Sequence, residues 1–458
     1  MRLFEKEFEV PLSDGCTDLI GHFARAVDSR LRGSECALRF AVTFQENGAY
    51  HCESALLDSQ LQSGNNAPDS IFRLHHRSAE RSDDFNCVLI VPTGIGAEIG
   101  GHAGDAGPVA RLLASCCDTL ITHPNVVNAS DINELPDNGL YVEGSTLTRL
   151  LMGTVGLRRT RSNRLLVLLD SQREPVFTHA AINAVNGART AYGLDCQKIV
   201  GIDPPLQMIS RYTSTGTAAG EVLGLERVCE ILDAHIGQFD AVAISTVIDV
   251  PRHYHTDYFK SGGEMVNPWG GVEAMLTHVL SLLYNVPVAH APMFESQEVA
   301  NEDPGVVDPR MAAEAVSVTF MQSLLKGLMR APRIVTAQAE MSRPEVLTVA
   351  DVSCVVVPDG CLGLPTLAAL EQGIPLIGVR ENRNRMRNDL AALPWQPGQF
   401  RVVENYWEAV GVLAAMRAGI DPASVRRPAR GVAVEIPQAT AVQADPELSP
   451  ATGPGQPA

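Results

Sequence analysis

The stretch "CVLIVPTGIGAEIGGHAGDAGPVARLLASCCDTLIT", residues 87–122, joins two apolar runs through a loop and an amphipathic segment. The runs Cys87–Val91 and Thr119–Thr122 lack polar alternation, which is how strands buried on both faces of a parallel sheet read. The segment Asp105–Cys117 has helical periodicity and would carry the chain across from one strand to the other. Six glycines fall between Val91 and Pro108. Such density weakens a core element, so the loop is expected to hold something. At the start of a helix its backbone N–H groups would cradle an anion. It is not a P-loop, because no Gly-Lys-Ser/Thr follows, and Gly94, Gly96 and Gly100 lack the spacing of a dinucleotide fingerprint.

The pattern extends outward from this stretch. Further buried strands are expected at Leu165–Leu169, Lys198–Ile202, Ala241–Thr246, Val286–Ala289, Arg333–Thr336, Cys354–Val357, Leu376–Val379 and Arg401–Val403. Helices are expected at Thr178–Tyr192, Ala219–Ile236, Gly271–Leu283, Pro309–Met329, Pro365–Gln372 and Tyr406–Ala418. The fold class is therefore α/β, with one or two doubly wound, Rossmann-like parallel sheets over residues 86–425, divided into lobes near residue 250. Before it, Leu3–Val10, Cys16–Leu31 and Ala37–Phe44 read as strand, helix and strand of a small α+β domain, residues 1–60. Residues 61–85 read as a linker, and the Pro-, Ala- and Gly-rich residues 426–458 as a disordered tail. Segments beginning at Thr93-Gly94, Thr215-Gly216 and Asp359-Gly360 share a plan of Gly-rich turn, helix and strand, the common grammar of βαβ units. Ligands are expected at the carboxyl ends of these strands.

At 458 residues, 45% hydrophobic and 19% charged, the chain has room for two or three domains of roughly 150 residues. Its formal charge of −17 argues against nucleic acid or an anionic membrane as partners. The ten cysteines contain no CxxC pair and mostly sit in apolar runs, as reduced thiols do. No apolar leader and no run of about 18 apolar residues is evident, so a cytoplasmic location is expected. Among 36 basic residues only four are lysines, a skew that codon usage in a GC-rich genome produces by itself.

In the opening loop Thr93, Gly94, Gly96, Gly100 and Gly101 are the expected cradle, and Glu98, His102 and Asp105 its polar members. His102 is suited to proton transfer near neutral pH; Asp105 serves either the ligand or the helix as an N-cap. After the next strand, "THPNVVNASDINELPDNGLYVEGS" brings His123, Asn125, Asn128, Asp131, Glu134 and Glu143 close together, either as Asx turns or as a substrate-orienting wall. Thr215 and Gly216 are expected at the corresponding place in the second segment. In "DVPRHYHTDYF", His253, His255 and Asp257 would point to one side of an extended segment, as ligands for a divalent metal. His290, at a strand end, is a further acid/base candidate. In "VRENRNRMRN", Arg380, Arg383, Arg385 and Arg387, with Glu381 and Asn382, would clamp an anion, unless the arginines are simply solvated. No Gly-x-Ser-x-Gly elbow or catalytic cysteine context supports covalent catalysis.

The segments "VPTGIGAEIGGHAGDAGPVARLLAS", "LITHPNVVNASDINELPDNGLYVEG", "VAHAP", "ADVSCVVVP" and "VGVLAAMRAGIDPAS" resemble a bacterial family of cyanobacteria and actinomycetes classed as a domain of unknown function, over about residues 86–424. That resemblance implies a shared fold and no activity. More faintly, "GGHAGDAGPVARLLA" and "ADVSCVVVPDGCLGLPTLAALEQGIPLIGV" resemble the Gly-Gly-His loop and sugar-nucleotide segment of two-Rossmann-domain glycosyltransferases, with Thr366 where that family has a ribose-binding glutamate. The leading expectation is an enzyme of small-molecule, specialised metabolism that acts on a phosphate- or carboxylate-bearing substrate by His-assisted acid/base chemistry, with His102, His123, Glu98 and His290 as catalytic candidates. A nucleotide-sugar transferase or epimerase, and a ligand-binding or regulatory protein, are the alternatives. Cofactor identity stays open beyond the divalent metal considered, as does assembly into a homo-oligomer.

Overall fold

A computed structural model describes residues 1–12, 15–16, 18–59, 69–171, 174–429 and 431–435. All ten strands expected from residue 86 onward are present, two of them with the expected bounds, Thr119–Thr122 and Leu376–Val379. Nine of them lie in two parallel sheets of a mixed α/β architecture that also holds a six-stranded antiparallel sheet; the tenth, Arg333–Val335, is corrected, since it pairs antiparallel with Gly156–Arg158 in a small three-stranded sheet and is only partly buried. In the larger parallel sheet the order is Phe400–Val403, Leu376–Val379, Val352–Pro358, Asn86–Leu89, Thr119–Thr122 and Gly139–Tyr141. From the central pair, Asn86–Leu89 beside Val352–Pro358, the chain proceeds outward in opposite directions, so strand order reverses there. The two central strands are fully buried, which explains the apolar runs Cys87–Leu89 and Cys354–Val357 within them.

The second parallel sheet, Asp195–Ile202, Arg164–Asp170, Ala241–Val247 and Val288–Met293, lies in sequence between the two halves of the first. The lobes therefore do not divide near residue 250: one is inserted in the other.

The N-terminal unit is not freestanding. Arg2–Pro11, Glu35–Glu46 and Ala49–Asp58 pair antiparallel, the last two through an Asn47-Gly48 hairpin turn with both residues at positive φ. Their sheet is completed by Gln207–Tyr212 and Ala218–Leu223 on one side and Leu362–Gly363 on the other. Residues 75–81, expected to be linker, are fastened to the core: Arg77 donates to the carbonyls of Val352 and Gln372, and Arg81 pairs with Asp351.

Two expected helices are corrected. Ala219–Ile236 is a strand, Ala218–Leu223, then a helix, Leu225–Ala234, separated by Gly224 at φ +84°. The strand pairs antiparallel in the mixed sheet, so the likeness of this segment to the opening loop is not one of topology. Pro309–Met329 is helical only at Ala312–Ala315 and Gln322–Met329. Between them "VSVT" is rich in β-branched residues, which disfavour helix, and Phe320 takes φ +54°. Of the expected tail, residues 430 and 436–458 lie outside the described residues. Among the described residues no helix is long and apolar enough to cross a membrane. All ten cysteines are free thiols.

Candidate functional site

A cavity of about 470 Å³ opens where the two parallel sheets and the antiparallel sheet meet. Residues after both central strands line it: Pro92, Thr93 and Gly94 follow Asn86–Leu89, and Cys361 follows Val352–Pro358. Three helices begin at its wall. They are Gly144–Leu151, Gly270–Tyr284 and Leu364–Gln372, and the first-turn residues Gly144, Ser145, Gly270, Gly271, Pro365 and Thr366 all face the cavity. Each N-terminus contributes roughly half a positive charge to that space.

At one end stands Glu143, the N-cap of Gly144–Leu151. Its carboxylate accepts from the backbone N–H of Ser145 and of Thr146, at 3.0 Å each, and meets His278 Nδ1 at 2.5 Å. Burial raises the Glu143 pKa, but the His278 charge and the hydrogen bonds of His278 and Ser145 outweigh it and bring it down to about 2. His278 projects from the middle of Gly270–Tyr284, and its Nε2 has no hydrogen-bond partner among the described residues. Gly144 makes the approach possible, since a Cβ there would lie 3.0 Å from the His278 ring. Arg149, on the next turn of the capped helix, also lines the cavity and donates to Asn285 at 2.6 Å.

At the other end the wall carries Glu314, Asn267 and His102, with the fully buried Tyr258 behind them. Glu314 Oε1 accepts from Asn267 Nδ2 at 2.8 Å. His102 Nδ1 lies 3.2 Å from the Tyr258 hydroxyl, and Asn267 also donates to the His102 carbonyl. Burial pushes the Glu314 pKa up to about 8, with the neighbouring Glu273 and Asp105 adding to the rise against the hydrogen bonds from Tyr258 and Asn267. His102 is lowered by burial and then by the charge of Arg310.

Of the residues expected from sequence, the structure brings Thr93, Gly94, Gly101, His102, His123, Asn125, Asn128, Glu143, His255 and His290 to this cavity. Several have structural duties there. His123 Nε2 accepts from the Val91 N–H at 3.0 Å, and burial lowers its pKa to about 4, so the neutral ring carries its proton on Nδ1. Asn125 Nδ2 donates to the carbonyls of Val91 and Gly100 at 3.0 and 2.8 Å, closing the glycine loop. Asn128 donates to the Tyr141 hydroxyl at 2.7 Å. Both ring nitrogens of His290 are engaged, with Glu273 at 3.2 Å and Thr246 at 2.8 Å.

The remaining expected residues lie outside the cavity lining. Glu98 pairs with Arg310 at 2.7 Å and Arg383 at 3.1 Å. Gly96 sits against Val266; Gly100, at φ +87°, turns the loop while its N–H donates to Asp105 Oδ1 at 2.8 Å. Asp105 thus ties the loop rather than capping the helix, whose N-cap is Ala106. Asp131 accepts from Ser317, Thr319 and Gln322, and Glu134 pairs with Arg111 at 2.9 Å. Thr215 donates to Glu53 at 2.8 Å, beside Gly216 at φ +81°. Arg380 pairs with Glu404 at the surface, and buried Asn382 is spent on the backbone of Ile99 and the Tyr406 hydroxyl.

The metal reading is corrected. His253, His255 and Asp257 lie in a helix, Arg252–Lys260, not an extended segment. At about 100° per residue, i and i+2 point apart. His253 and Asp257 are exposed, and among the described residues no group of three His, Cys, Asp or Glu is placed to hold a metal. Sequence reasoning missed His278, Glu273 and Glu314. The first two carried a signal: they are ionisable side chains in an otherwise largely apolar helix.

A protein of Synechococcus sp. (strain ATCC 27144 / PCC 6301 / SAUG 1402/1), named an uncharacterized lipoprotein, is 36% identical over 345 residues, covering 74% of this chain and 92% of its own. No solved structure matches. The model of the family described as "Protein of unknown function (DUF3326)" matches residues 86–426, and the chain belongs to that family.

Proposed function

We propose that the protein is an enzyme of small-molecule metabolism whose substrate bears a phosphate or carboxylate, and that His278, oriented by Glu143, is its general base. The observation that carries this is the Glu143–His278 pair, with Nε2 unengaged among the described residues, at the wall of the cavity. A carboxylate on one ring nitrogen fixes the tautomer and leaves the other nitrogen free to face the substrate.

The lining has more acidic than basic side chains, with Glu53, Glu143, Glu273, Glu302, Asp303 and Glu314 against Arg39, Arg149 and Lys260. The inner carboxylates are already committed: Glu53 to Arg39 and three threonine hydroxyls, Glu143 to His278, and Glu273 to His290. What remains for a ligand is the field of the two helix N-termini that no carboxylate caps, Gly270–Tyr284 and Leu364–Gln372, together with Lys260 and the unpartnered Nη1 of Arg149, which favours an anion. If the parallel sheets are read as doubly wound lobes, the cavity also lies where such folds bind ligands, beyond the carboxyl ends of strands at a reversal of strand order.

Inorganic phosphate and short carboxylates are expected to raise the melting temperature of the protein; no stabilisation by any of them would overturn the reading. Once a substrate is found, His278→Gln is expected to lower kcat by about 10²–10⁴-fold with binding retained.

The engaged nitrogens of His290 and His123 favour a second reading, a binding protein without turnover, in which His278→Gln would change affinity alone. The nucleotide-sugar transferase reading has less support, because the Thr366 hydroxyl is committed to the Cys361 carbonyl at 2.7 Å. Selective stabilisation by UDP would revive it.

A further inference from the structure

The end of the cavity opposite His278 poses its own question. Glu314 lies on an irregular strap, residues 301–320, anchored by Asp131 through Ser317 and Thr319 and by Arg310 through Glu98. Although the residue is only half-buried, its Oε2 is shielded from solvent and has no hydrogen-bond partner of good geometry. Oε1 is held by Asn267. A buried carboxylate oxygen with no well-aligned donor would be costly in its charged form, and among the described residues no cation compensates it: the groups acting on it are Tyr258 from Arg252–Lys260, a weak donor to the carboxylate, Glu273 from Gly270–Tyr284, and Asp105 from the glycine loop, with His102 behind Tyr258. Protonated, the same oxygen becomes a hydrogen-bond donor at the cavity wall.

We infer that Glu314 is the general acid of this cavity, a neutral carboxylic acid whose Oε2–H donates to a carbonyl or hydroxyl oxygen of the bound substrate. This rests on the reading of His278 as the base. Glu273 and His278 line the cavity from one helix, five residues and about 7.5 Å of rise apart, and Glu314 lines the same cavity within reach of the Glu273 charge, so acid and base share one space suited to a small metabolite. The substrate class follows from the balance of the step. His278 Nε2 takes a proton from carbon while the Glu314 O–H bond breaks and a new O–H bond forms on the substrate. The electron pair of the broken C–H bond becomes the double bond of an enol, or expels water from a protonated hydroxyl. No oxidant or reductant is required. The structure thus favours a keto or hydroxy acid, or the equivalent phosphate ester, undergoing isomerisation or dehydration.

The test uses sulfate, whose charge does not change across the range, titrated calorimetrically into the full-length protein and into Glu314→Gln from about pH 6 to about pH 10. The wild type is expected to lose affinity about tenfold per unit above about pH 8, as the neutral form of Glu314 is depleted. Glu314→Gln, neutral throughout, is expected to keep its affinity over that range. Glu314→Met, similar in volume, stands in if the glutamine variant does not fold. Identical pH profiles for wild type and variant would overturn the assignment of Glu314 while leaving the anion site intact. Sulfate binding to neither protein at any pH would overturn the anion site, and this inference with it.

Discussion

The two ends of the cavity handle buried charge in opposite ways. Around Glu143 every carboxylate oxygen has donors: two backbone N–H groups of a helix start, the Ser145 hydroxyl and the His278 ring. Around Glu314 there is one amide donor, a tyrosine and two further carboxyl groups. Burial pushes both groups toward the neutral form, yet one ends at about 2 and the other at about 8. The difference shows that donors, not depth, decide which acid ionises, and two acids driven apart in one cavity are how a single site holds an acid and a base.

The largest effect is expected from removing the ionised end. Glu143→Ala takes away a helix N-cap and leaves His278 facing an emptied pocket, which should cost about 3–5 kcal/mol, seen as a lower melting temperature. The sign with pH follows from linkage. The folded-state pKa of Glu143 lies below the ordinary carboxylate value, so its contribution is complete above about pH 4.5 and is lost as pH falls through about 2. Wild type and Glu143→Ala should therefore converge in stability under acid, whereas a constant gap would mean the effect is packing.

A smaller effect is expected between the two ends, where Asn125 closes the loop that carries His102. Asn125→Ala should cost about 1–3 kcal/mol and release two buried carbonyls. Faster amide exchange over residues 93–104, with residues 143–151 unchanged, would sharpen the distinction between the ends; uniform exchange would erase it. Smallest of all, Arg380→Ala, at the surface on Glu404, should change stability by no more than about 0.5 kcal/mol and leave anion binding untouched. A weakened sulfate affinity would restore the arginine clamp that the sequence alone allows.

The strands were legible because burial on both faces leaves an apolar run, as in Cys354–Val357. The strand Ala218–Leu223 was hidden because its small residues, Ala218, Ala219 and Gly220, fit a helix start equally well, and only pairing with residues 2–4 and 207–212 decides the matter. The site was half legible. Glycines and polar residues after strands located one wall through Thr93, His102, His123 and Glu143. The rest was not, because Glu273 and His278 sit inside a helix that reads as core, and Glu314 inside a segment whose helical pattern runs through a break. Conversely, Asp105, Asn125 and Asn382 look chemical in sequence because backbone carbonyls and N–H groups need polar partners as much as substrates do.

The neighbouring strands Asn86–Leu89 and Val352–Pro358 also carry a consequence for synthesis of the chain. More than half of the 458 residues separate them, while the four-stranded sheet between is built from a contiguous stretch. On a ribosome the inserted sheet would be complete while Asn86–Leu89 still lacks its partner on one side. Contacts of such sequence separation form late and leave an open strand edge until they do. A chain stalled before Val352 would thus hold both Glu143 and His278 but leave Asn86–Leu89 unpaired on one side, and that edge is where a chaperone or a second unfinished copy would pair.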